Sequence, residues 1–457
     1  MNVRSILKSL QKIIGRVWSN TWIQNKMAKI LRNIEDIYNL FSSYFKKDDQ
    51  CLIGIEQESF LFDCSKTIPK RVDYAFLKAL FEQKEKNGWQ WDPIAEFKEH
   101  VELVKDGKNL SLERGGQFEY SSKPYKTIHE LAHAYKQDYE KFNQDLPQNY
   151  FLCSLGFDPV TKIDNIPTIP KQRYDYMESY LGYWGRTMLR STCALQVSFD
   201  YKSEIDLMKK ITIVTTFQPL ISSLLLSSPI VEGQVSSYES YRCHIWNQVD
   251  TNRSSACFAM NQPQSLESYL DKILKISMIF LMRDKKYIPC MGESFYDFMQ
   301  GNLKALPGEF PTESDLLSFI GTTYPDIRLK KIIELRGFDV VPPPYTFAMP
   351  AFWTGILYDS ASLDAAYELA LSIQKDEFIK WREDIADKNI HSVKKNKDLI
   401  CQLLLFAKNG LCNRHNQEAI YLEPLYELME RGVSLSTDIR NDFNNMDLTS
   451  FIRKWSN

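Results

Sequence analysis

The sequence of 457 residues lacks the signatures of several common protein classes. It contains no GxxxxGKS or GxxxxGKT loop, and no GxGxxG follows a strand-like segment, which excludes P-loop and dinucleotide-binding folds. It has no apolar run of about 18 residues, so no segment is predicted to cross a membrane. The 56 basic and 58 acidic side chains nearly cancel, so charge gives no reason to expect a nucleic-acid partner.

Cysteine and histidine signatures are also weak. The nine cysteines are scattered without a CxxC pair, which argues against a structural zinc site. Their odd number and wide spacing indicate a reducing compartment, so we expect a cytoplasmic protein whose thiols are mostly buried. The sequence does not exclude one or two disulfides. His129 and His133, four apart in a helical pattern, are expected to be ordinary surface histidines.

Residues 1–31 are basic and contain no acidic side chain, since the first acid in the chain is Glu35. Apolar residues three or four apart predict one helical stripe, formed by Ile6, Leu10, Ile13 and Val17. The segment is either a basic amphipathic helix that contacts an anionic membrane or directs transport into an organelle, or a helix packed on the protein. The packed helix is favoured, because any docked helix has an apolar stripe. We therefore divide the chain into an extension at 1–32 and one large domain at 33–457.

Three strand-like segments carry oxygen-bearing side chains on one face, at residues 51–63, 110–122 and 192–201. Alternate residues along a strand share a face, and in each segment the opposite face is apolar. The oxygen-bearing residues are Glu56 and Glu58 in the first segment, Glu113, Gln117 and Glu119 in the second, and Gln196 in the third.

Each of these strands alone could be half-solvated, with its polar face in water. Together, their carboxylate, amide and hydroxyl oxygens suit a hard cation such as Mg²⁺. The pattern therefore predicts one sheet with an apolar side against helices and a polar side lining a cavity. Helical periodicity follows at residues 127–145, 204–228, 361–385 and 396–408, so the C-terminal part is predicted to be mostly helical.

Basic residues form short clusters between the strand-like segments. The clusters contain Lys171 and Arg173, then Arg242 with His244 and Trp246 on alternating positions, then Arg328, Lys330 and Lys331. Arginine suits bidentate contact with carboxylate or phosphate, and lysine suits contact with phosphate. If residues 327–339 end as a strand, Glu334 and Arg336 face the same way, and Gly337 lets the chain turn away.

Nine motifs occur in the order found in plant-type glutamate–cysteine ligases, a family shared by plants and many bacteria. They are IGIEQESFLF, SLERGGQFEYS, PKQRYDYM, TCALQVSFDY, YRCHIW, DKKYIPCMGESFYDF, LPGEFPT, RLKKIIELRGFD and MPAFWTGILYD. The resemblance implies an α+β, glutamine-synthetase-like fold, in which a curved antiparallel sheet lines the active site and helices pack outside. It also implies ATP-dependent ligation of L-glutamate to L-cysteine through γ-glutamyl phosphate, the first step of glutathione synthesis, with two or three Mg²⁺ ions.

The resemblance assigns roles motif by motif. The residues similar to metal ligands are Glu56, Glu58, Glu113, Glu119 and Glu334. Gln117 and Gln196 resemble residues beside the metals and the ATP phosphates. Arg336 resembles an arginine that neutralises the transferring phosphoryl group or holds a substrate carboxylate. Arg242 is assigned to the α-carboxylate of glutamate, and Lys171 and Arg173 to the lining of the pocket.

The chain departs from the family pattern in two places. Ser191 stands where the family has an arginine, and Arg190 lies one residue earlier, where it is expected to point to the other face. After Gly337, where plant members have two arginines, residues 340–344 contain no cation. Two alternatives therefore stay open, namely a γ-glutamyl ligase for another amine and a nonenzymatic regulator that binds glutamate or nucleotide. The expected partners are L-glutamate, L-cysteine and ATP but no nucleic acid, and the protein is expected to be a monomer or homodimer.

Overall fold

The computed structural model describes residues 29–92, 102–254, 265–283, 286–387 and 392–457. The predictions made for residues 1–28, and any partner of Cys257, lie outside these ranges. The strands are β1 Ile53–Asp63, β2 Lys70–Arg71, β3 Gln90–Trp91, β4 Glu102–Lys105, β5 Lys108–Leu112, β6 Phe118–Ser121, β7 Tyr150–Cys153, β8 Ala194–Phe199, β9 Ile230–Val231, β10 Gln234–Val235, β11 Phe280–Arg283, β12 Lys286–Pro289, β13 Ile327–Leu329 and β14 Ile333–Asp339.

The α-helices follow the same chain order. They are α1 Ile34–Ser42, α2 Tyr74–Lys86, α3 Ile128–Asp145, α4 Gln172–Ser191, α5 Glu204–Ser222, α6 Tyr241–Gln248, α7 Leu266–Leu274, α8 Phe295–Met299, α9 Glu313–Ile320, α10 Ala348–Leu357, α11 Ser360–Ser372, α12 Lys375–Asp384, α13 Ser392–Lys395, α14 Lys397–Asn413, α15 Glu423–Arg431, α16 Leu435–Asn445 and α17 Leu448–Lys454. Within the described ranges, no helix combines the length and the apolar character needed to cross a bilayer.

The main sheet is antiparallel and is built around β1. Its strands follow the order β13, β14, β8, β1, β6, β5, β4, β3. The first half of β1 pairs with β8 and β6, while its second half pairs with β7 and β2. The three segments predicted to be strands are confirmed as β1, the β5–β6 pair and β8. The mixture of helices with an antiparallel sheet confirms the α+β class.

One face of this sheet is apolar because alternate residues of its strands are apolar. Ile55, Leu110, Leu195 and Val197 are all almost fully buried. Helix α5 packs against β13 and β14, and α10 contacts β1. The buried apolar cluster reaches from Leu31 to Trp455, so residues near both ends of the described chain contribute to the core. The helices thereby cover one face of the sheet and leave the oxygen-bearing face to form a site.

The helical predictions are confirmed with shifted boundaries. Thr127 caps α3, since its hydroxyl accepts the Glu130 N–H and the Glu130 side chain accepts the Thr127 N–H. Helix α5 begins as predicted but ends at Ser222, with Pro219 inside its last turn. The segment 361–385 divides into α11 and α12, which are separated at Ile373 and Gln374.

Two glycines allow α10 and α14 to cross closely. A Cβ atom at Gly410 would lie 1.8 Å from the Gly355 carbonyl oxygen, and one at Gly355 would lie 2.1 Å from the Ala407 carbonyl oxygen. Neither position therefore accepts a side chain without separating the helices. This crossing joins the C-terminal helices to the layer that supports the sheet.

The YRCHIW motif is helical rather than extended. It forms α6, whose first turn is capped by the Ser240 hydroxyl accepting the Cys243 N–H at 3.0 Å. In a helix, residues four apart share a face, so the Arg242 guanidinium lies 5.3 Å from the Trp246 ring. His244 points elsewhere and stacks on Tyr238 at 4.1 Å. The alternating pattern seen in the sequence therefore does not describe one face.

Gly337 also has a different role from the one predicted. Strand β14 continues past it to Asp339, with a shift in register between Leu335 and Phe338. A Cβ atom at Gly337 would lie 2.7 Å from Gln218 Nε2 of α5. The glycine therefore permits close approach of the helix to the sheet, and the chain does not turn there.

Candidate active site

The polar face of the sheet is centred on β1. Glu56 lies opposite Gln196 of β8, and Glu58 lies opposite Glu119 of β6. Directly opposed residues of antiparallel strands share a face, so these four side chains lie together. The register of β14 with β8 adds Glu334 to the same face. We call this surface, formed by Glu56, Glu58, Glu119, Gln196 and Glu334, the acidic face.

Neutral donors orient two carboxylates of the acidic face. The Ala194 N–H donates to Glu58 Oε2 at 2.8 Å, and Gln196 Nε2 donates to Glu58 Oε1 at 3.3 Å. The Ser111 hydroxyl donates to Glu119 Oε2 at 2.8 Å. These hydrogen bonds fix the side chains but bring no positive charge to them.

Burial and mutual repulsion raise the pKa of three carboxyl groups on this face. Burial, followed by repulsion from Glu113, raises the pKa of Glu58 to about 7. Burial and repulsion from neighbouring carboxylates raise the pKa of Glu119 well above its usual value. Burial and Glu334 raise the pKa of Glu56. The acidic face therefore contains more buried negative charge than its side chains compensate, a setting that favours a bound cation.

Glu113 has a different environment. Burial alone would raise its pKa, but Arg173 and Lys171 lower it, and the Tyr174 hydroxyl donates to Glu113 Oε2 at 2.5 Å. Lys171 Nζ lies 2.5 Å from Glu102 Oε1, and the Arg173 guanidinium lies 5.0 Å from the Tyr174 ring. The structure thus places both predicted pocket cations beside Glu113, at the end of the acidic face.

Glu334 is surrounded by cations. Its carboxylate lies 2.5 Å from Arg328 Nη2, 2.9 Å from Lys330 Nζ and 2.8 Å from Arg336 Nη1. Burial would raise the pKa of Glu334, but these three cations hold it well below its usual value. Arg336 also donates to Gln196 Oε1, which joins the cations to the acidic face. The sequence analysis gave Arg328 and Lys330 no role, although a β13–β14 hairpin places Arg328 opposite Glu334.

The five predicted metal ligands divide into two groups. Arginine and lysine lower the pKa of Glu113 and of Glu334. Glu56, Glu58 and Glu119 keep a raised pKa, because burial and neighbouring carboxylates outweigh the nearby cations. Among the residues that the structure describes, no three acidic, histidine or cysteine side chains are already arranged around a metal position. The donor chemistry still fits a hard cation, because uncompensated buried carboxylates are the groups that Mg²⁺ neutralises.

Gln117 braces a turn. Its Nε2 donates to the Leu189 and Thr192 carbonyl oxygens at 3.1 and 3.0 Å, and its Oε1 accepts the Gly115 N–H at 2.8 Å. The side chain is almost fully buried. Gln117 therefore ties the turn between β5 and β6 to the end of α4, and its amide is already used there.

A small cavity adjoins Arg336 and is bounded by α5, α6 and α12. Its volume of about 30 Å³ holds one or two water molecules. Five residues of its wall each carry a buried polar atom that has no hydrogen-bond partner among the described residues, namely Gln218 Oε1, Arg242 Nε, Trp246 Nε1, the Tyr324 hydroxyl and Arg336 Nε. Unpaired buried polar groups are costly, so these residues are candidates for contact with a small polar ligand.

The sequence analysis named Arg242 and Arg336 but missed Gln218 and Tyr324 of this cavity. Arg242 Nη2 donates to the Arg336 carbonyl oxygen at 2.9 Å, which holds the two arginines together. The signal for Gln218 was available, since it is an amide within the apolar run of α5. Tyr324 lies in a loop and had no comparable signal.

The two departures from the family pattern have clear structural positions. Arg190 forms an ion pair with Glu178 of its own helix at 2.6 Å, and Glu178 also contacts Arg114 at 2.9 Å. Arg190 lies in the last turn of α4 and not in a strand, so the strand alternation predicted for it does not apply, and its guanidinium is occupied by Glu178. Val340 and Val341 are almost fully buried in the core. Neither place therefore supplies a cation to the acidic face.

His129 and His133 lie at the protein surface, as expected. The segment HELAH at residues 129–133 has the spacing of a zinc protease helix, but its glutamate, Glu130, caps α3 through Thr127. His129 Nδ1 lies 3.0 Å from the Tyr421 hydroxyl. The eight cysteines in the described ranges form no disulfide with one another.

Comparison with known proteins agrees with the fold. A family model described as glutamate-cysteine ligase family 2 (GCS2) matches residues 52–450. The chloroplastic glutamate–cysteine ligase B of Oryza sativa subsp. japonica is 33% identical over 417 residues, which cover 89% of this chain and 83% of that protein. The chloroplastic glutamate–cysteine ligase of Arabidopsis thaliana is 31% identical over 420 residues, which cover 90% and 80%.

A solved structure shares the fold. The crystal structure of glutamate–cysteine ligase from Francisella tularensis in complex with AMP aligns with a TM-score of 0.55 and 13% identity, covering 90% of this chain and 88% of that one. The family model includes the whole acidic face and the cavity beside it. The chain therefore belongs to glutamate-cysteine ligase family 2.

Proposed function

We propose that the acidic face and the cavity beside Arg336 form one active site, which joins the γ-carboxylate of L-glutamate to the amine of L-cysteine. ATP would phosphorylate glutamate to γ-glutamyl phosphate, and the amine would displace phosphate to give γ-glutamylcysteine, with ADP as the other product. The observation that carries this proposal is the position of Arg336, which contacts the acidic face through Glu334 and Gln196 and is also a residue of the cavity wall, with no partner for its Nε among the described residues.

The position of Arg336 suits phosphoryl transfer to a carboxylate. This reaction brings two anions together, so positive groups must be in place before it occurs. The Arg336 side chain is 16% exposed and is braced by the Glu334 carboxylate at 2.8 Å. Its pKa is raised, since Glu334 and Glu56 outweigh the effect of burial. A fixed guanidinium at this boundary would stabilise the charge of the transferring group without reorganisation.

Magnesium is proposed for the acidic face. The family is expected to use two or three ions. Glu56, Glu58 and Glu119 would hold them, and Glu113 and Glu334 would complete the set of metal ligands. Mg²⁺ supplies screening of the ATP phosphates there. The chain itself contributes the orientation of these carboxylates, through Ala194 and Ser111.

Glutamate is proposed to enter the cavity. Arg242 would bind its α-carboxylate, because Arg242 and Trp246 both line the cavity, and Arg242 Nε and Trp246 Nε1 have no hydrogen-bond partner among the described residues. Lys171 and Arg173, beside Glu113, would contact phosphate groups at the other end of the face. We assign Gln117 no ligand, because backbone groups already use its amide.

A γ-glutamyl ligase for another amine is the second candidate. It is favoured by the two departures described above, since Arg190 is occupied by Glu178 and residues 340–341 are buried and apolar. Comparing cysteine with a panel of other amines decides between the two, and a tenfold preference for a different amine would establish the second candidate.

Hydroxylamine trapping tests the proposed intermediate. Purified protein supplied with ATP, Mg²⁺ and glutamate should form γ-glutamyl hydroxamate without cysteine, because hydroxylamine intercepts an acyl phosphate. The matched variants are Arg336→Gln, which should abolish hydroxamate formation, and Arg186→Gln, which alters a half-exposed surface arginine and should not. ADP release without hydroxamate would contradict the acyl-phosphate route.

We further propose that residues 33–457 act as one catalytic domain, in a monomer or homodimer. The relatives named above are chloroplastic proteins, so they do not support the cytoplasmic location predicted from the cysteines. Their names favour transport into an organelle, directed by residues 1–31. A fluorescent fusion of the full chain, compared with one that begins at residue 31 and so keeps the buried Leu31, tests this. An unchanged location would show that the segment carries no targeting signal.

A further inference from the structure

The cavity beside Arg336 has one carboxylate among the described residues that line it, and this is Asp326. Asp326 precedes β13, and its carbonyl oxygen accepts the Arg336 N–H at 2.7 Å. Its side chain forms an ion pair with Arg382 Nη1 of α12. Both side chains are largely buried, at 12% and 13% exposure. The ion pair therefore forms part of the outer wall of the cavity.

The residues that line the cavity carry unpaired groups of the kinds that an amino acid would complement. Arg242 Nε, Trp246 Nε1 and Arg336 Nε are donors, which suit a carboxylate. Gln218 Oε1 is an unpaired acceptor on the same wall, and its amide nitrogen is already used by Ser222 at 2.9 Å. An acceptor among so many donors suits the ammonium group of the same molecule. An ammonium group also requires a negative charge when it is buried.

We propose that Asp326 binds the α-ammonium group of the amino-acid substrate, and that Arg382 is an internal counter-ion which Asp326 releases when substrate enters. This inference rests on the proposed function, because it takes the cavity as an amino-acid site. It adds Asp326, Gln218 and Arg382 as residues that select a substrate carrying an α-ammonium group over one that lacks it.

Cavity size supports the exchange. A volume of about 30 Å³ holds one or two water molecules, so an amino acid enters only after part of the wall moves. Among the described residues, the Arg382 guanidinium has one further hydrogen bond besides the ion pair, in which its Nη2 lies 3.5 Å from Asn247 Oδ1 and which is weak. Asn247 Nδ2 also donates to the Arg382 carbonyl oxygen, at 3.4 Å. Replacing the guanidinium with an ammonium group keeps the charge of Asp326 balanced throughout.

The test compares L-glutamate with glutarate, which has the same two carboxylates but no ammonium group. ADP release by the full-length protein gives the KM values for glutamate, cysteine and ATP, and the inhibition constant of glutarate. In Asp326→Asn we expect the KM for glutamate to rise at least tenfold, while the glutarate constant and the KM for ATP stay within twofold. In Arg382→Gln we expect the KM for glutamate to fall about threefold, because the competing cation is gone.

The separate KM values for glutamate and cysteine show which of these two substrates supplies the ammonium group. A rise in the KM for cysteine alone in Asp326→Asn would place the amine of the acceptor at Asp326, and the ammonium site would stand. Equal losses for glutamate and glutarate, or no change in any KM, would overturn it. If Asp326→Asn fails to fold by near-ultraviolet circular dichroism, Arg382→Gln decides, since a raised KM for glutamate contradicts a displaceable counter-ion. A wild-type protein that releases no ADP with glutamate would instead refute the proposed function.

Discussion

Replacing Glu58 with glutamine should make the metal-free protein more stable at pH 8 while removing its activity. Glu58 lies on the acidic face and has its pKa raised to about 7 by burial and by Glu113. The unfolded chain would ionise this group near its ordinary value of 4.5. Because the pKa is raised in the folded protein, the proton stabilises the fold, and this stability is lost as the pH rises from 4.5 through 7.

The expected size of the effect follows from that pKa. At pH 8, ionised Glu58 costs the folded protein about 3 kcal/mol relative to the unfolded chain. Glutamine removes this cost and still accepts the Ala194 N–H, but it loses the hydrogen bond from Gln196 Nε2. That loss costs about 1 kcal/mol. Glu58→Gln should therefore gain about 2 kcal/mol at pH 8 and almost nothing at pH 5, where little of the ionisation cost remains.

The assay is urea unfolding in EDTA at pH 5 and pH 8, for wild type, Glu58→Gln and the control Glu82→Gln. Glu82 is half-exposed and lies 4.0 Å from Lys78, so its replacement should change stability little at either pH. A Glu58→Gln variant that is less stable than wild type at pH 8, or that is stabilised equally at both pH values, would contradict a raised pKa of Glu58 in the folded protein.

Four further outcomes are expected. EDTA should abolish ADP release and Mg²⁺ or Mn²⁺ should restore it, whereas full activity in chelator would contradict the role of the acidic face. Arg336→Lys should lower kcat at least a hundredfold in steady-state assays, because lysine lacks the rigid, planar guanidinium that contacts both Glu334 and Gln196. An unchanged kcat would show that Arg336 is not part of the active site. Gly410→Ala should lower the free energy of unfolding by about 2 kcal/mol in urea, since its Cβ would overlap the Gly355 carbonyl, and unchanged stability would argue against the tight crossing. Deleting residues 1–30 should leave kcat and KM unchanged, and an inactive but folded truncation would show that this segment shapes the active site.

Local patterns predicted the sheet well. Alternation placed Glu56, Glu58, Glu119 and Gln196 on one face, because side chains in any strand alternate. The antiparallel register then made that face continuous across β6, β1 and β8. Such predictions succeed because they depend on neighbours within a few residues along the chain.

Features that depend on distant parts of the chain were missed. The cavity joins Gln218 of α5, Trp246 of α6 and Arg382 of α12, and no spacing in the sequence connects these residues. The low pKa of Glu334 depends on Arg328, which lies opposite it across the β13–β14 hairpin. Alternation along a single strand does not reveal a partner on the neighbouring strand. The helix at YRCHIW was predictable in part, since Ser240 is a good cap, but its alternating apolar residues masked the signal.

The decisive measurement of the ligase reaction is ADP release by the purified protein with ATP, Mg²⁺ and L-glutamate, with and without L-cysteine. We expect cysteine to stimulate ADP release strongly, with γ-glutamylcysteine identified by its mass in amounts equal to the ADP formed. ADP release that ignores cysteine would contradict the assignment of the acceptor, and the absence of ADP under both conditions would contradict the ligase reaction itself.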